Sequence, residues 1–194
     1  MKFLKLVFIF IISASIGIRA QTMSENDLNF FKEIPEYEGQ YNSGKISARM
    51  IDGLGFRFYW ATEDLSAKDM TYRPSEEIRS IGETIQHIYE MSYSLMNVVN
   101  LKAQIDPGLT MPDMQRKQTL LNLKLIRDKL ISSSDKDFEA YNRIRSNGNT
   151  IPFWKYINGP IEDCVWHCGQ IASFRRLAGN PISKDISFFE GKMR

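Results

Sequence analysis

Apolar residues recur at helical spacing over four long stretches of the chain, and polar or turn-forming residues fill the gaps between them. The first stretch covers residues 43–65. Ile46, Met50, Leu54, Phe58 and Leu65 form its stripe, and Ser43 stands where it can cap the first turn. Gly53 and Gly55 each cost a helix about 1 kcal/mol relative to alanine, a cost expected where a neighbouring helix packs closely. The run Phe56-Arg57-Phe58-Tyr59-Trp60 is aromatic on all sides. It points first to core packing and second to a pocket wall. The second stretch opens on Ser80-Ile81-Gly82-Glu83, a capping-box pattern in which serine and glutamate each serve one orphan N–H. It extends to about residue 103 with Ile81, Ile85, Ile88, Leu95 and Val99 on one face and His87 on its flank.

The third stretch covers residues 113–131, with Leu120, Leu123, Ile126 and Leu130 inward. The fourth covers residues 160–181. Gly159-Pro160 opens it, Gly179 closes it, Pro181 blocks continuation, and Arg175 and Arg176 sit in the last turn against the helix dipole. Ile171, Phe174 and Ala178 extend the line of Asp163 and His167, which predicts that this face points inward. Between the stretches lie a mixed segment at 21–42 with a short helix at most, a loop at 66–74, and turns at Asp106-Pro107-Gly108 and Asn147-Gly148-Asn149. A short helix is expected over 138–144. Another is expected from Pro152, capped by Thr150, with Phe153, Trp154 and Tyr156 packed on the body. Phe188 and Phe189 in the tail are either exposed or folded back. No convincing strand alternation is present, so the fold class is all-α, a four-helix bundle whose long connections require crossovers.

The chain has 194 residues, enough for one domain with a sizeable core, and 43% of them are hydrophobic. Lys2 and Lys5 precede an apolar run from residue 6 to residue 18, the length of a secretory leader and short of the ~20 residues a membrane span requires. The expected division is therefore a signal peptide at 1–20, an extension at 21–42, the bundle at 43–182 and a tail at 183–194. Cleavage is placed after Ala20, with Gly17 as the alternative site and an uncleaved anchor as the alternative reading. Export places the product in the periplasm or outside the cell, with no stable membrane anchor after cleavage. Removing Lys2, Lys5 and Arg19 lowers the basic residues from 25 to 22 against 23 acidic ones. The mature chain then carries −1 and has no basic stripe to hold a nucleic acid.

The chemistry concentrates on few residues. Asp163-x-x-x-His167 places a carboxylate and an imidazole one turn apart on one helix face, where both can reach one ion. The only other histidine is His87. Cys164 and Cys168 are four apart on the same helix, with Cβ atoms about 6 Å apart, too far for a disulfide. They are expected to be reduced, buried thiols; the alternative is a reactive thiol beside the site.

Taken in order, several motifs resemble the DinB-like metalloprotein superfamily over roughly residues 43–182. They are the aromatic first helix running into Thr62-Glu63-Asp64-Leu65, then Arg73-Pro74-Ser75, then Ser80-Ile81-Gly82-Glu83 leading to His87. The last are Trp166-His167-Cys168-Gly169-Gln170-Ile171 and Arg175-Arg176-Leu177-Ala178-Gly179-Asn180-Pro181. The resemblance implies a four-helix bundle holding one divalent metal through three side chains. His87 and His167 match two of them. Asp163 stands where such chains often carry a third histidine. That departure either gives a two-histidine, one-carboxylate set suited to Zn, Ni, Mn or Fe, with preference shifted toward harder ions such as Mn, or weakens the site. Glu83 and Gln170 are candidates to support a ligand or meet the substrate, although the capping box already accounts for Glu83 and packing for Gln170.

The resemblance further implies a metal-dependent transferase that uses a low-molecular-weight thiol. A metal-dependent hydrolase and a non-catalytic metal- or ligand-binding module are the alternatives, because such thiols belong mainly to the cytoplasm and this chain is expected to be exported. A third reading keeps His87, Asp163 and His167 as a hydrogen-bonded network without metal. Assembly as a homodimer remains open.

Overall fold

The computed structural model of the chain describes residues 25–194, so the leader expected at 1–20 and its expected cleavage site lie outside the described residues. The described chain is mostly helical, with two short β-hairpins. A short helix, α1 (Glu25–Asn29), leads into a single 3-10 turn at Phe30–Lys32. Helix α2 (Ser43–Thr62) follows. Its cap is Asn42 rather than Ser43: the Asn42 side chain accepts from the Lys45 N–H at 2.8 Å. The buried face of α2 is Ile51, Leu54, Phe58 and Tyr59, rotated from the predicted stripe. Ile46 is half exposed and Met50 only partly covered.

Gly55 has a clear steric role. A Cβ there would lie 2.4 Å from the Phe31 ring, so the missing side chain admits an aromatic ring from the N-terminal segment rather than a neighbouring helix. Gly53 has no such neighbour; its nearest contact is the tip of Arg57 at 3.4 Å. The aromatic run is core, with Phe56, Phe58 and Tyr59 fully buried, and Trp60 Nε1 donates to the Lys32 carbonyl.

Helix α3 (Ala67–Thr71) interrupts the expected loop and is opened by a capping box between Ser66 and Asp69. Helix α4 (Ile81–Val98) carries the predicted Ser80–Glu83 capping box. It stops about a turn early. The Asn97 side chain donates to the Ala103 carbonyl and accepts from the Ala103 N–H, both at 2.9 Å. Asn100 and Lys102 adopt positive φ. That local closure competes with helix continuation. Helix α5 (Pro112–Ile131) begins on proline at the first position, where no N–H is required, and buries Leu120, Leu123, Ile126 and Leu130 as expected.

The segment after α5 differs most from expectation. Helix α6 (Asp135–Ala140) starts early on a Ser134–Asp137 capping box and ends at Tyr141. Residues 142–152 then form a hairpin in which β1 (Asn142–Ile144) pairs antiparallel with β2 (Thr150–Pro152) around the Asn147-Gly148-Asn149 turn. Thr150 is therefore a strand residue and not a cap. Helix α7 (Phe153–Tyr156) buries Phe153 and Tyr156 but leaves Trp154 pointing to solvent.

A widened turn at Ile157–Ile161, bent at Gly159, joins α7 to α8 (Glu162–Leu177). The fourth helix thus begins two residues after its expected proline. Its C-terminus closes as expected on Gly179 at φ 90. The tail forms a second small hairpin, β3 (Ile186–Ser187) with β4 (Lys192–Met193). Phe188 folds back edge-on to Phe56 at 5.6 Å, whereas Phe189 is fully exposed. No helix among the described residues is long and apolar enough to cross a membrane.

Helices α2 and α4 each pack against both α5 and α8, and one continuous apolar cluster fills the space between them. Each fully buried Leu, Ile or Phe there contributes about 1.5–3 kcal/mol. The buried stripe of α8 is Cys164, Cys168, Ile171 and Arg175. The line containing Asp163, His167 and Phe174 lies on the flank, half covered, which corrects the inward-facing expectation. Arg175 is also not a simple dipole partner. It is buried, donating through Nη1 to the carbonyls of Trp60 and Ala61 and through Nε and Nη2 to the carbonyl and side chain of Asn180.

Candidate metal centre

His87 lies in the second turn of α4, and Asp163 and His167 lie one turn apart near the start of α8. Ile85 and Ile88 on α4 and Cys164, Cys168 and Ile171 on α8 belong to one buried cluster. Packing those stripes together places the flanks of the two helices side by side. His87 Nε2 lies 3.2 Å from Asp163 Oδ2 and His167 Nε2 lies 3.5 Å from the same oxygen. The two imidazole rings meet edge to face with centroids 4.7 Å apart, and the three residues offer ligand atoms all within 4.8 Å of one another. The side chains are 24%, 41% and 12% exposed for His87, Asp163 and His167, so the cluster is open mainly on the Asp163 side.

The donor set fits a single cation. Two ligands about 2.0–2.2 Å from one ion stand about 3.0–3.5 Å apart across a tetrahedral or octahedral angle. The separations at Asp163 Oδ2 fall in that range. His167 Nδ1 lies 2.6 Å from Gln170 Oε1, an acceptor, so the ring is held with Nε2 toward the Asp163 carboxylate, where one cation could meet both atoms. Gln170 thus touches the cluster directly, as the hydrogen-bond partner that orients the His167 imidazole.

Glu83 lies elsewhere in function. Its carboxylate accepts from the Ser80 N–H at 2.7 Å and from Arg73 Nη2 at 3.0 Å. The Ser80 N–H, with Arg73 beside it, holds Glu83 below the usual carboxylate range. It still lines, with His87, a surface cleft of about 390 Å³ that carries Glu76, Glu77 and Glu90 as well. The last three are not among the residues the sequence singles out, because charged residues in an exposed loop (Glu76, Glu77) or on an exposed helix face (Glu90) are the default.

Both cysteines are free and buried. Burial pushes the Cys164 thiol well up, and the Cys168 thiol up to about 12. They are protonated small hydrophobes lining the core side of α8, about a quarter-turn from the ligand face, and not a nucleophile at the site.

The chain was compared with protein-family models, with curated proteins and with solved structures, and none of the three comparisons gave a match.

Proposed function

We propose that this protein is a DinB-like four-helix bundle that binds one divalent metal through His87, Asp163 and His167 and acts as a metal-dependent thiol S-transferase. The metal reading rests on one observation: three ligand atoms from two helices converge within 4.8 Å. The bundle reading draws on the packing of α2 and α4 against α5 and α8, and the transferase reading on the ordered motifs shared with that superfamily. When bound, Zn, Ni, Mn or Fe would lower the pKa of a thiol or water at an open position.

The chain's own residues have distinct parts in this reading. Asp163 offsets part of the ion's charge. Gln170 fixes His167 with Nε2 toward the site. The partly exposed Asp163 side leaves room for a low-molecular-weight thiol, and the cleft beside His87 offers an approach for its co-substrate. Water in place of the thiol would make the protein a hydrolase, and a closed coordination sphere would make it a non-catalytic binding module.

A second reading has its own observation. The 3.2 Å His87–Asp163 contact is also hydrogen-bond distance, so the cluster can stand as a metal-free network in which His87 donates to Asp163.

Cobalt loading separates an open site, a closed site and a metal-free network. An open site shows a thiolate-to-metal charge-transfer band when a small thiol is added. A closed site keeps the cobalt spectrum unchanged. A hydrogen-bonded network takes up no cobalt. The transferase reading predicts the first result in wild type and its loss in His167→Ala.

A further inference from the structure

A second concave site lies between the N-terminal half of α2 and the excursion made by α6, the β1–β2 hairpin and α7. It is a groove of about 470 Å³, inside the range of about 300–1,000 Å³ typical of small-ligand sites and large enough for roughly fifteen water-sized groups. Ile46 and Met50 form one wall and Phe138 and Trp154 the other. Ile46 is 51% exposed and Trp154 77% exposed. Two large apolar side chains therefore face the groove without being covered by the chain itself, and the residues lining the groove are distinct from the His87 cluster and its cleft.

Among the described residues, the charged side chains lining the groove are Asp135 and Glu139. Asp135 accepts only a long 3.4 Å contact from the Ser43 N–H. The Glu139 carboxylate makes no ion pair among the described residues. An apolar ligand bearing a carboxylate or sulfate would meet two like charges. One bearing an ammonium would meet two opposite charges beside the aromatic rings of Phe138 and Trp154, a ring type that attracts cations through its quadrupole.

We propose that this groove binds an amphiphilic cation, an apolar body carrying one amine or quaternary ammonium, independently of the metal centre. The body lies between Ile46, Met50, Phe138 and Trp154, and the cationic head sits at Glu139 and Asp135.

The test is calorimetric titration of the purified protein with decyltrimethylammonium, decyl sulfate and 1-decanol, all below their aggregation limits. The proposal expects one saturable site for the cation, at least tenfold tighter than for the sulfate. Glu139→Gln should weaken the cation about fivefold or more and leave decanol unchanged, and Trp154→Ala should weaken both. Glu139 and Trp154 are exposed, so both variants should retain the wild-type circular dichroism spectrum. His167→Ala should bind the cation as wild type does. Absence of saturable binding, equal affinity for cation and sulfate, or cation binding indifferent to both variants would overturn the proposal. So would sedimentation showing a dimer that Trp154→Ala dissociates, since a second copy would then be the occupant.

Discussion

Replacing Arg175 with methionine keeps most of its apolar length and removes its guanidinium. The side chain is 4% exposed and makes four hydrogen bonds: 2.9 Å and 3.2 Å to the carbonyls of Trp60 and Ala61, 2.6 Å to the Asn180 carbonyl and 3.1 Å to Asn180 Oδ1. These tie the C-terminus of α8 to the C-terminus of α2. Asn180 passes the connection on to the Asp64 carbonyl and to Asp69 Oδ2. A hydrogen bond to a charged group contributes about 1.5–3 kcal/mol, and an acceptor left buried without a partner costs about 1–3 kcal/mol. The carbonyls at a helix end can be partly rehydrated, so the sum is discounted to about 3–5 kcal/mol. With a urea dependence of about 2 kcal/mol per molar, the middle of the usual range, the unfolding midpoint should fall by about 1.5–2.5 M. Arg176, exposed in the same turn, should cost under about 1 kcal/mol on the same change, the size of a helix-dipole contribution. Arg175→Lys should recover little, because an ammonium cannot reach several carbonyls with a planar fork. Equal and small losses for Arg175→Met and Arg176→Met would refute the pinning role and restore the dipole account.

Gly55→Ala should destabilise by about 1–3 kcal/mol as the Phe31 ring is displaced, and thermal unfolding would show it; a gain of about 1 kcal/mol, the helix-propensity value, would contradict the packing at Gly55. The Asn180 amide, together with the Ser66 hydroxyl and N–H, holds the Asp69 carboxyl below its ordinary range. Its folded pKa is therefore lower than its unfolded one, so its stabilisation is present above about pH 4 and lost as pH falls through the folded value. Asp69→Asn should flatten the acid side of the stability–pH curve, and an unchanged slope would count against the contact. Cys164 and Cys168 should resist a thiol reagent in the native protein and give two equivalents once it is unfolded in guanidinium; rapid native labelling would contradict their burial.

The long helices were legible because periodicity, caps and the Gly179–Pro181 stop all agreed. The Ser80–Glu83 box and the inward leucines of α5 stand where the pattern puts them. Departures occurred where a local side-chain contact outweighed the pattern. Asn97 closes on Ala103 and ends α4 early, and the Ser134–Asp137 box starts α6 early enough to leave Asn142 free for a hairpin. That hairpin had a signal in the Asn147-Gly148-Asn149 turn, but its strands are three residues each with a single isoleucine apiece, too brief for alternation to register. The α2 stripe was rotated because Phe31, 24 residues upstream of Gly55, fills the face beside it. The sequence brought His87, Asp163 and His167 forward as a set. The role of Gln170 follows from the i, i+3 spacing to His167, but its hydrogen bond became definite only in three dimensions. Arg175 looked like a terminal charge because nothing local records that the end of α2 lies over it.

Metal content decides between the metal-centre and network readings, and elemental mass spectrometry on tag-free protein reads it, beside Asp163→Ala and His167→Ala. About one equivalent of a divalent ion is expected in wild type, lost in both variants, with Cys168→Ala retaining it. A folded wild-type protein that takes up no ion after incubation with Zn, Ni, Mn and Fe, or equal content in wild type and the variants, would contradict the metal reading and leave the His87–Asp163–His167 cluster as a hydrogen-bonded network.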